Sequence, residues 1–247
     1  MTKQFRVKTL NAISGSGLTR FPAEIYEVGE AVASPNALLV RSASLHEAPV
    51  PETVIAVARA GAGTNNIPVA AMTERGIPVF NTPGANANAV KELVLAGLFI
   101  ASRNLIPAAR FAHELEGDDA AISQAVEAGK KQFVGFELPG KTLGVIGLGA
   151  IGVQVANAAL GLGLKVIGFD PAISVDHAWK LSAEVERARS LEDVFRRSDI
   201  LTVHVPLIEA TRGLVSTQHL AMMKHSAVIL NFARAEIVDE AAVVSAT

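Results

Sequence analysis

The sequence predicts an α/β protein built on parallel sheets, and three observations carry that expectation. Short apolar runs alternate with helix-spaced stretches along all 247 residues. The runs lack clean alternation, as strands covered on both faces do. Half of the residues are apolar, enough for a sizeable core in one large domain or two smaller ones.

The expected strands, in chain order, are Ala37–Val40, 54–58, 78–80, Thr142–Ile146, Lys165–Phe169, Ile200–Val203 and 228–230. Between them, 68–75, 151–162 and Leu191–Arg197 have apolar spacing that suits helices. Ser190, with Asp193 three residues on, is a capping-box-like start for the last of these. Residues 85–112 read as one long helical stretch that Pro107 should kink or break. The acidic segment 113–132 reads as a solvated surface connection. The pattern divides the chain into a first unit over residues 1–84 and a second over 85–247, the latter a linking helix followed by another strand–helix series.

Composition removes several classes of function. With 22 basic and 24 acidic side chains and a formal charge of −2, nothing draws the chain to nucleic acid or to an anionic membrane. No cysteine is present, which excludes disulfides, thiolate zinc sites, iron–sulfur clusters and a cysteine nucleophile, and no metal site is read. No apolar core follows the basic residues at 3–8, so no secretory signal is expected. The longest apolar stretch, 93–101, is about half of the ~20 residues that span a bilayer. A soluble, cytoplasmic protein is the expectation.

The strongest motif lies in the second unit. The strand Thr142–Ile146 runs at once into Gly147-Leu148-Gly149-Ala150-Ile151-Gly152 and then into a helix. In a strand, Gly-x-Gly-x-x-Gly, helix arrangement, the first glycine makes the tight turn. The second lets a pyrophosphate approach the backbone, and the third lets the helix pack against the strand. The helix start offers unpaired N–H groups to phosphate. The next strand ends at Asp170, 18 residues beyond Gly152. That is close to the ~20 expected of the carboxylate that binds the adenosine ribose. A carboxylate there repels a 2′-phosphate, so NAD is favoured over NADP.

Ligands in open α/β sheets bind beyond the carboxyl ends of the strands, and polar residues gather there. In the first unit the strand ends carry Arg41 and Ser42, Arg59 with Gly61, Ala62 and Gly63, and Asn81. Two arginines and a glycine loop suit a small, doubly anionic ligand. In the second unit they carry His204, Val205 and Pro206, then Asn231, Phe232, Ala233 and Arg234. Arg234 shares its sheet edge with the glycine loop, and a guanidinium there can bind a carboxylate and polarise an adjacent carbonyl. His204 is read as a coenzyme neighbour, not as the catalytic acid.

The motifs Arg41-Ser42-Ala43-Ser44, Arg59 to Asn66, Asn81-Thr82-Pro83-Gly84, the glycine loop with Asp170-Pro171, His204 to Leu207 and Asn231 to Glu240 occur in one order. Together they resemble the D-isomer-specific 2-hydroxyacid dehydrogenases, most closely the members that oxidise 3-phosphoglycerate. The resemblance implies two Rossmann-like domains: a flavodoxin-like substrate domain and an NAD-binding domain. It implies hydride transfer between C2 of a D-2-hydroxy acid and NAD, in the first step of serine synthesis. It makes Arg234 the catalytic arginine, and it gives the loop at 61–63 to the substrate carboxylate and Arg41 and Arg59 to its phosphate. Ala150 and Ile151 would line the pyrophosphate, Asp170 the ribose, and Val205, Phe232 and Ala233 the nicotinamide half. The partners implied are a small anionic 2-hydroxy or 2-keto acid and a second copy of the chain, as homodimer or homotetramer.

The chain departs from the family pattern at several positions. Ala150 stands where many relatives have arginine, Asn65 where aspartate is usual, and Ala235-Glu236 where two glycines are common. The resemblance also implies a glutamate and then a histidine downstream of the arginine, and the sequence reaches Thr247 before either. It is therefore expected to be part of a longer enzyme, with an exposed sheet edge that favours self-association. Two alternatives stay open: a glyoxylate or hydroxypyruvate reductase, and a non-catalytic NAD sensor like the corepressors of this fold.

Overall fold

The computed structural model describes residues 4–47 and 49–246. The start of the chain, on which the absence of a secretory signal is read, lies partly outside them. The backbone separates into two compact units, Met1–Asn86 and Ala87–Thr247.

The first unit is a five-stranded parallel sheet. Its strands are β1 (Phe5–Leu10), β2 (Tyr26–Gly29), β3 (Ala37–Val40), β4 (Ala56–Arg59) and β5 (Val79–Phe80), in the order β2-β1-β3-β4-β5. That is the flavodoxin-like order. Two helices accompany it, α1 (Gly15–Leu18) and α2 (Val69–Glu74). Leu38, Val40, Val57, Met72 and Ile77 are buried together and form the core where α2 meets the sheet. Strands β1 and β2 were not among the expected ones. Phe5–Leu10 mixes Arg6 and Lys8 with its apolar residues, yet β1 lies between β2 and β3. The predicted strand at 54–58 is shifted to 56–59, which makes Arg59 the last residue of β4.

The second unit opens with α3 (Ala87–Ser102), α4 (Leu105–His113) and α5 (Asp119–Gly129). The helical stretch is broken as expected, but at Asn104 and not at Pro107; the φ of 50° and ψ of 38° at Asn104 are left-handed. Asparagine tolerates that region better than most residues. Pro107 then falls in the first turn of α4, where no intrahelical N–H is required of it. The acidic segment is solvent-facing as expected and partly helical: α5 buries no residue, and Asp118 caps it by accepting from the Ala121 N–H at 2.9 Å. Neither α4 nor α5 buries a residue in this chain.

Strands β6 (Thr142–Ile146), β7 (Lys165–Phe169), β8 (Glu186–Arg187), β9 (Ile200–Val203) and β10 (Val228–Asn231) form the second parallel sheet, ordered β10-β9-β6-β7-β8. Counted from β6, this is the doubly wound order 3-2-1-4-5 read backwards. Helices α6 (Ala150–Gly161), α7 (Val175–Lys180), α8 (Leu191–Arg197), α9 (Thr217–Leu220) and α10 (Glu240–Ala246) complete the unit. One core joins Leu143 and Val145 to α6 and to Val94 and Leu98 of α3. Another joins Ile146, Leu201 and Val203 to Val194 and Phe195 of α8. Both faces of the sheet are thus covered, which is why β9 is buried at every position. Ser190 caps α8 as expected, accepting from the Asp193 N–H at 3.3 Å. The unexpected strand, β8, is two exposed charged residues, held by Arg197, which bonds both carboxylate oxygens of Glu186 at 2.7 and 2.5 Å.

Among the described residues no helix is long and apolar enough to cross a membrane, and no cluster of histidine and carboxylate side chains is arranged to hold a metal.

Candidate functional site

In the second sheet the strand order reverses direction between β6 and β9, and the glycine loop leaves β6 at that point. Gly147 has φ +89° and donates to the Phe169 carbonyl at 2.9 Å. A Cβ on it would lie 2.7 Å from the His204 carbonyl oxygen. Gly152 is closed from the other side, because a Cβ there would fall inside the Gly147 carbonyl. Gly149 differs from both. No atom comes within 4 Å of where its Cβ would be, so the loop is open where a phosphate group has to approach. Ala150 and Ile151 form the first turn of α6 directly behind it.

Asp170 is tied into the same loop. One carboxylate oxygen accepts from the Leu148 N–H at 2.8 Å and the other from the Ala172 N–H at 2.8 Å. A carboxylate has about four lone-pair sites, so two remain for hydroxyl donors. An open glycine cradle with a fixed acid beside it fits a dinucleotide carrying free ribose hydroxyls.

His204 follows β9. Its N–H donates to the Ile146 carbonyl at 2.7 Å, and its Nε2 lies 3.0 Å from Oγ1 of the fully buried Thr202. Burial pushes the imidazole down from 6.5 to about 4. It is neutral near pH 7, which suits a packing neighbour of the loop and not a proton donor. Val205 packs toward Gly147 and into the core around Ile146, and the exposed Pro206 follows it.

Arg234 lies three residues beyond β10, exposed, with Nη1 donating to the Ala233 carbonyl at 2.9 Å. It forms no salt bridge among the described residues. The Phe232 ring rests on α3, where a Cβ at Gly97 would be 3.3 Å from it.

In the first unit a cavity of about 340 Å³ opens at the carboxyl ends of β3, β4 and β5. Arg41, Arg59 and Asn81 line it together with apolar Ile13, Phe21, Leu39 and Phe80. Ser42, Gly61, Ala62 and Gly63 lie outside that lining. Arg59 Nε donates to the Arg41 carbonyl at 3.1 Å. The Gly61 N–H is already bonded to the Arg59 carbonyl at 2.9 Å, and Asn81 holds the Ala62 carbonyl at 2.6 Å. Of the three loop amides, only those of Ala62 and Gly63 meet no acceptor among the described residues. The wall supplied by Ala12, Ile13 and Phe21 had no signal in the sequence, since it is assembled from the turns on either side of the short helix α1.

These features define an α/β protein with a dinucleotide-binding half. Residues 98–247 match the family model described as D-isomer specific 2-hydroxyacid dehydrogenase, NAD binding domain. The chain is 37% identical over 223 residues to a D-3-phosphoglycerate dehydrogenase of Methanocaldococcus jannaschii, covering 89% of this chain and 40% of that one. It is 36% identical over 219 residues to a hydroxypyruvate reductase of Thermotoga maritima, covering 87% and 66%. The holo D-mandelate dehydrogenase of Rhodotorula graminis superposes with a TM-score of 0.81 at 25% identity, covering 99% of this chain and 78% of that one. The chain belongs to the D-isomer-specific 2-hydroxyacid dehydrogenase family, and its second unit carries the family's NAD-binding domain. It spans about 40% of the length of the D-3-phosphoglycerate dehydrogenases it matches.

Two predictions follow from the loop geometry. Gly149→Ala should leave the melting temperature unchanged and weaken NADH about tenfold, because the new methyl occupies only ligand space; Gly152→Ala should lower both stability and binding. Thermal melts with NADH fluorescence titrations separate the two, and equal effects would refute the assignment. For His204, the unfolded chain takes up a proton below about pH 6.5 while the folded chain stays neutral to about pH 4. Stability is therefore complete above that window and falls through it on acidification, by about 2 kcal/mol between pH 7 and pH 5. Urea unfolding at both pH values should show that loss in the wild type and not in His204→Gln.

Proposed function

We propose that the protein is an NAD-dependent D-2-hydroxyacid dehydrogenase that oxidises D-3-phosphoglycerate to 3-phosphohydroxypyruvate. The observation that carries the reading is the open Gly149 cradle at the strand-order switch, with Asp170 bonded into it and Arg234 on the same sheet edge. Bound NAD supplies the hydride acceptor. Gly147, Gly149, Ala150, Ile151 and Gly152 hold the pyrophosphate, Asp170 the ribose, and His204, Val205, Pro206, Phe232 and Ala233 the nicotinamide half. Arg234 grips the substrate carboxylate and draws electron density from the C2 oxygen. In the first unit, the loop of Gly61, Ala62 and Gly63 donates N–H groups to the substrate carboxylate, the Ala62 and Gly63 amides being the ones that meet no acceptor among the described residues. Arg41 and Arg59 take the phosphate, and Ser42 and Asn81 shape the loops around it. The supports for phosphoglycerate are the two arginines at one cavity and the D-3-phosphoglycerate dehydrogenases among the relatives.

A second reading is reduction of hydroxypyruvate, favoured by the likeness to the Thermotoga maritima hydroxypyruvate reductase. The two differ only in the phosphate. On either reading the protein works as a homodimer or homotetramer, supported by the exposed Leu93, Phe99 and Ile100 of α3 and Leu105 and Ile106 of α4. The domain roles divide as substrate unit (1–84) and coenzyme unit (85–247). A cytoplasmic location fits the absence of cysteine.

Steady-state kinetics with phosphorylated and unphosphorylated oxo acids distinguish the readings. The phosphoglycerate reading expects Arg41→Ala and Arg59→Ala each to raise KM for 3-phosphohydroxypyruvate about tenfold or more and to spare hydroxypyruvate. Equal effects on both substrates would favour the reductase.

A further inference from the structure

The turn that carries Arg234 is held from two sides, by Asn231 and by Phe232, and nothing above gives Asn231 a role in the reaction. Asn231, the last residue of β10, brackets the turn with its side chain. Its Oδ1 accepts from the Ala233 N–H at 3.0 Å, and its Nδ2 donates to the Arg234 carbonyl at 2.8 Å. Both bonds close on the backbone at and just before the arginine, so they set the direction in which residue 234 leaves the strand. The Arg234 carbonyl also accepts from the Ile237 N–H at 3.2 Å, and Ile237 is fully buried. Its backbone is therefore anchored although its side chain is exposed.

The second hold is Phe232. Its ring lies against Gly97 of α3, with Cε2 and Cζ both 3.3 Å from where a Cβ would stand and Leu230 at 3.4 Å beside them. A side chain at 97 requires the far end of the ring to give by a few tenths of an ångström.

We infer that Asn231 is a positioning residue for Arg234. The inference rests on the proposed role of Arg234 in gripping the substrate carboxylate. A guanidinium can hold a carboxylate bidentately only from a narrow range of directions, and a displacement of about 1 Å can cost up to a hundredfold in rate. The two side-chain bonds of Asn231 are separable by mutation. Asn231→Asp keeps an acceptor for the Ala233 N–H and removes the donor to the Arg234 carbonyl, whereas Asn231→Ala removes both.

The test is reduction of 3-phosphohydroxypyruvate and hydroxypyruvate by saturating NADH in the full-length protein, with NADH affinity measured in parallel by fluorescence. Asn231→Ala should lower kcat/KM for the preferred oxo acid about tenfold or more, with NADH affinity within about twofold of wild type. Asn231→Asp should recover part of the loss. If Arg234→Ala leaves oxo-acid kinetics unchanged, the role of Arg234 is wrong and the inference falls with it. If Arg234→Ala is impaired while Asn231→Ala matches wild type, the inference alone falls. It falls likewise if Asn231→Ala weakens NADH and the oxo acid equally.

Discussion

The rest of the coenzyme unit depends on how closely α6 approaches the end of β6. Gly152 sits so near the Gly147 carbonyl that no side chain can come between them. Gly147 in turn is pressed against the His204 backbone in a left-handed conformation. Those two contacts set the start of α6 at the junction of β6 and β9, with its first amides facing the space above the sheet edge. They also place Leu148 where its N–H reaches Asp170 at the end of β7. Three strands and a helix are thereby locked together by backbone and one carboxylate.

The same edge illustrates how one sheet supplies different chemistry at neighbouring strand ends. Burial keeps His204 neutral beside Thr202, so the end of β9 contributes packing without charge. One strand further, at the end of β10, the backbone is fixed while the Arg234 side chain stays exposed. A cation held on a rigid turn at a strand end is what recognition of an anionic substrate requires. The acid just after β7 and the arginine beyond β10 lie on opposite sides of the glycine loop within the strand order, so side chains of opposite charge flank the loop along this edge.

The second unit was largely legible in the sequence because its strands are nearly continuous apolar runs and its loop has a fixed glycine spacing. The elements that escaped lack such signals. Strand β8 is Glu186 and Arg187, both exposed and defined by pairing with β7 and by Arg197. Helix α5 buries nothing, so its apolar spacing says little. Proline was expected to break the helix at 107, yet the break needs a left-handed residue and falls at Asn104. At the site, residue types at strand ends were readable, but their hydrogen bonds were not. That the Gly61 amide is already engaged, or that Asn231 clasps the arginine turn, depends on loop closure that no spacing rule encodes.

If the glycine loop and Asp170 form an NAD site that rejects the 2′-phosphate, the charge of Asp170 sets the choice of coenzyme. Fluorescence titration of the wild type and Asp170→Asn with NADH and NADPH isolates that charge, since asparagine keeps the size and one acceptor oxygen. The wild type should bind NADH at least about tenfold more tightly than NADPH, and the variant should narrow the ratio by gaining NADPH affinity. An unchanged ratio, or a wild type that binds both equally, would contradict it.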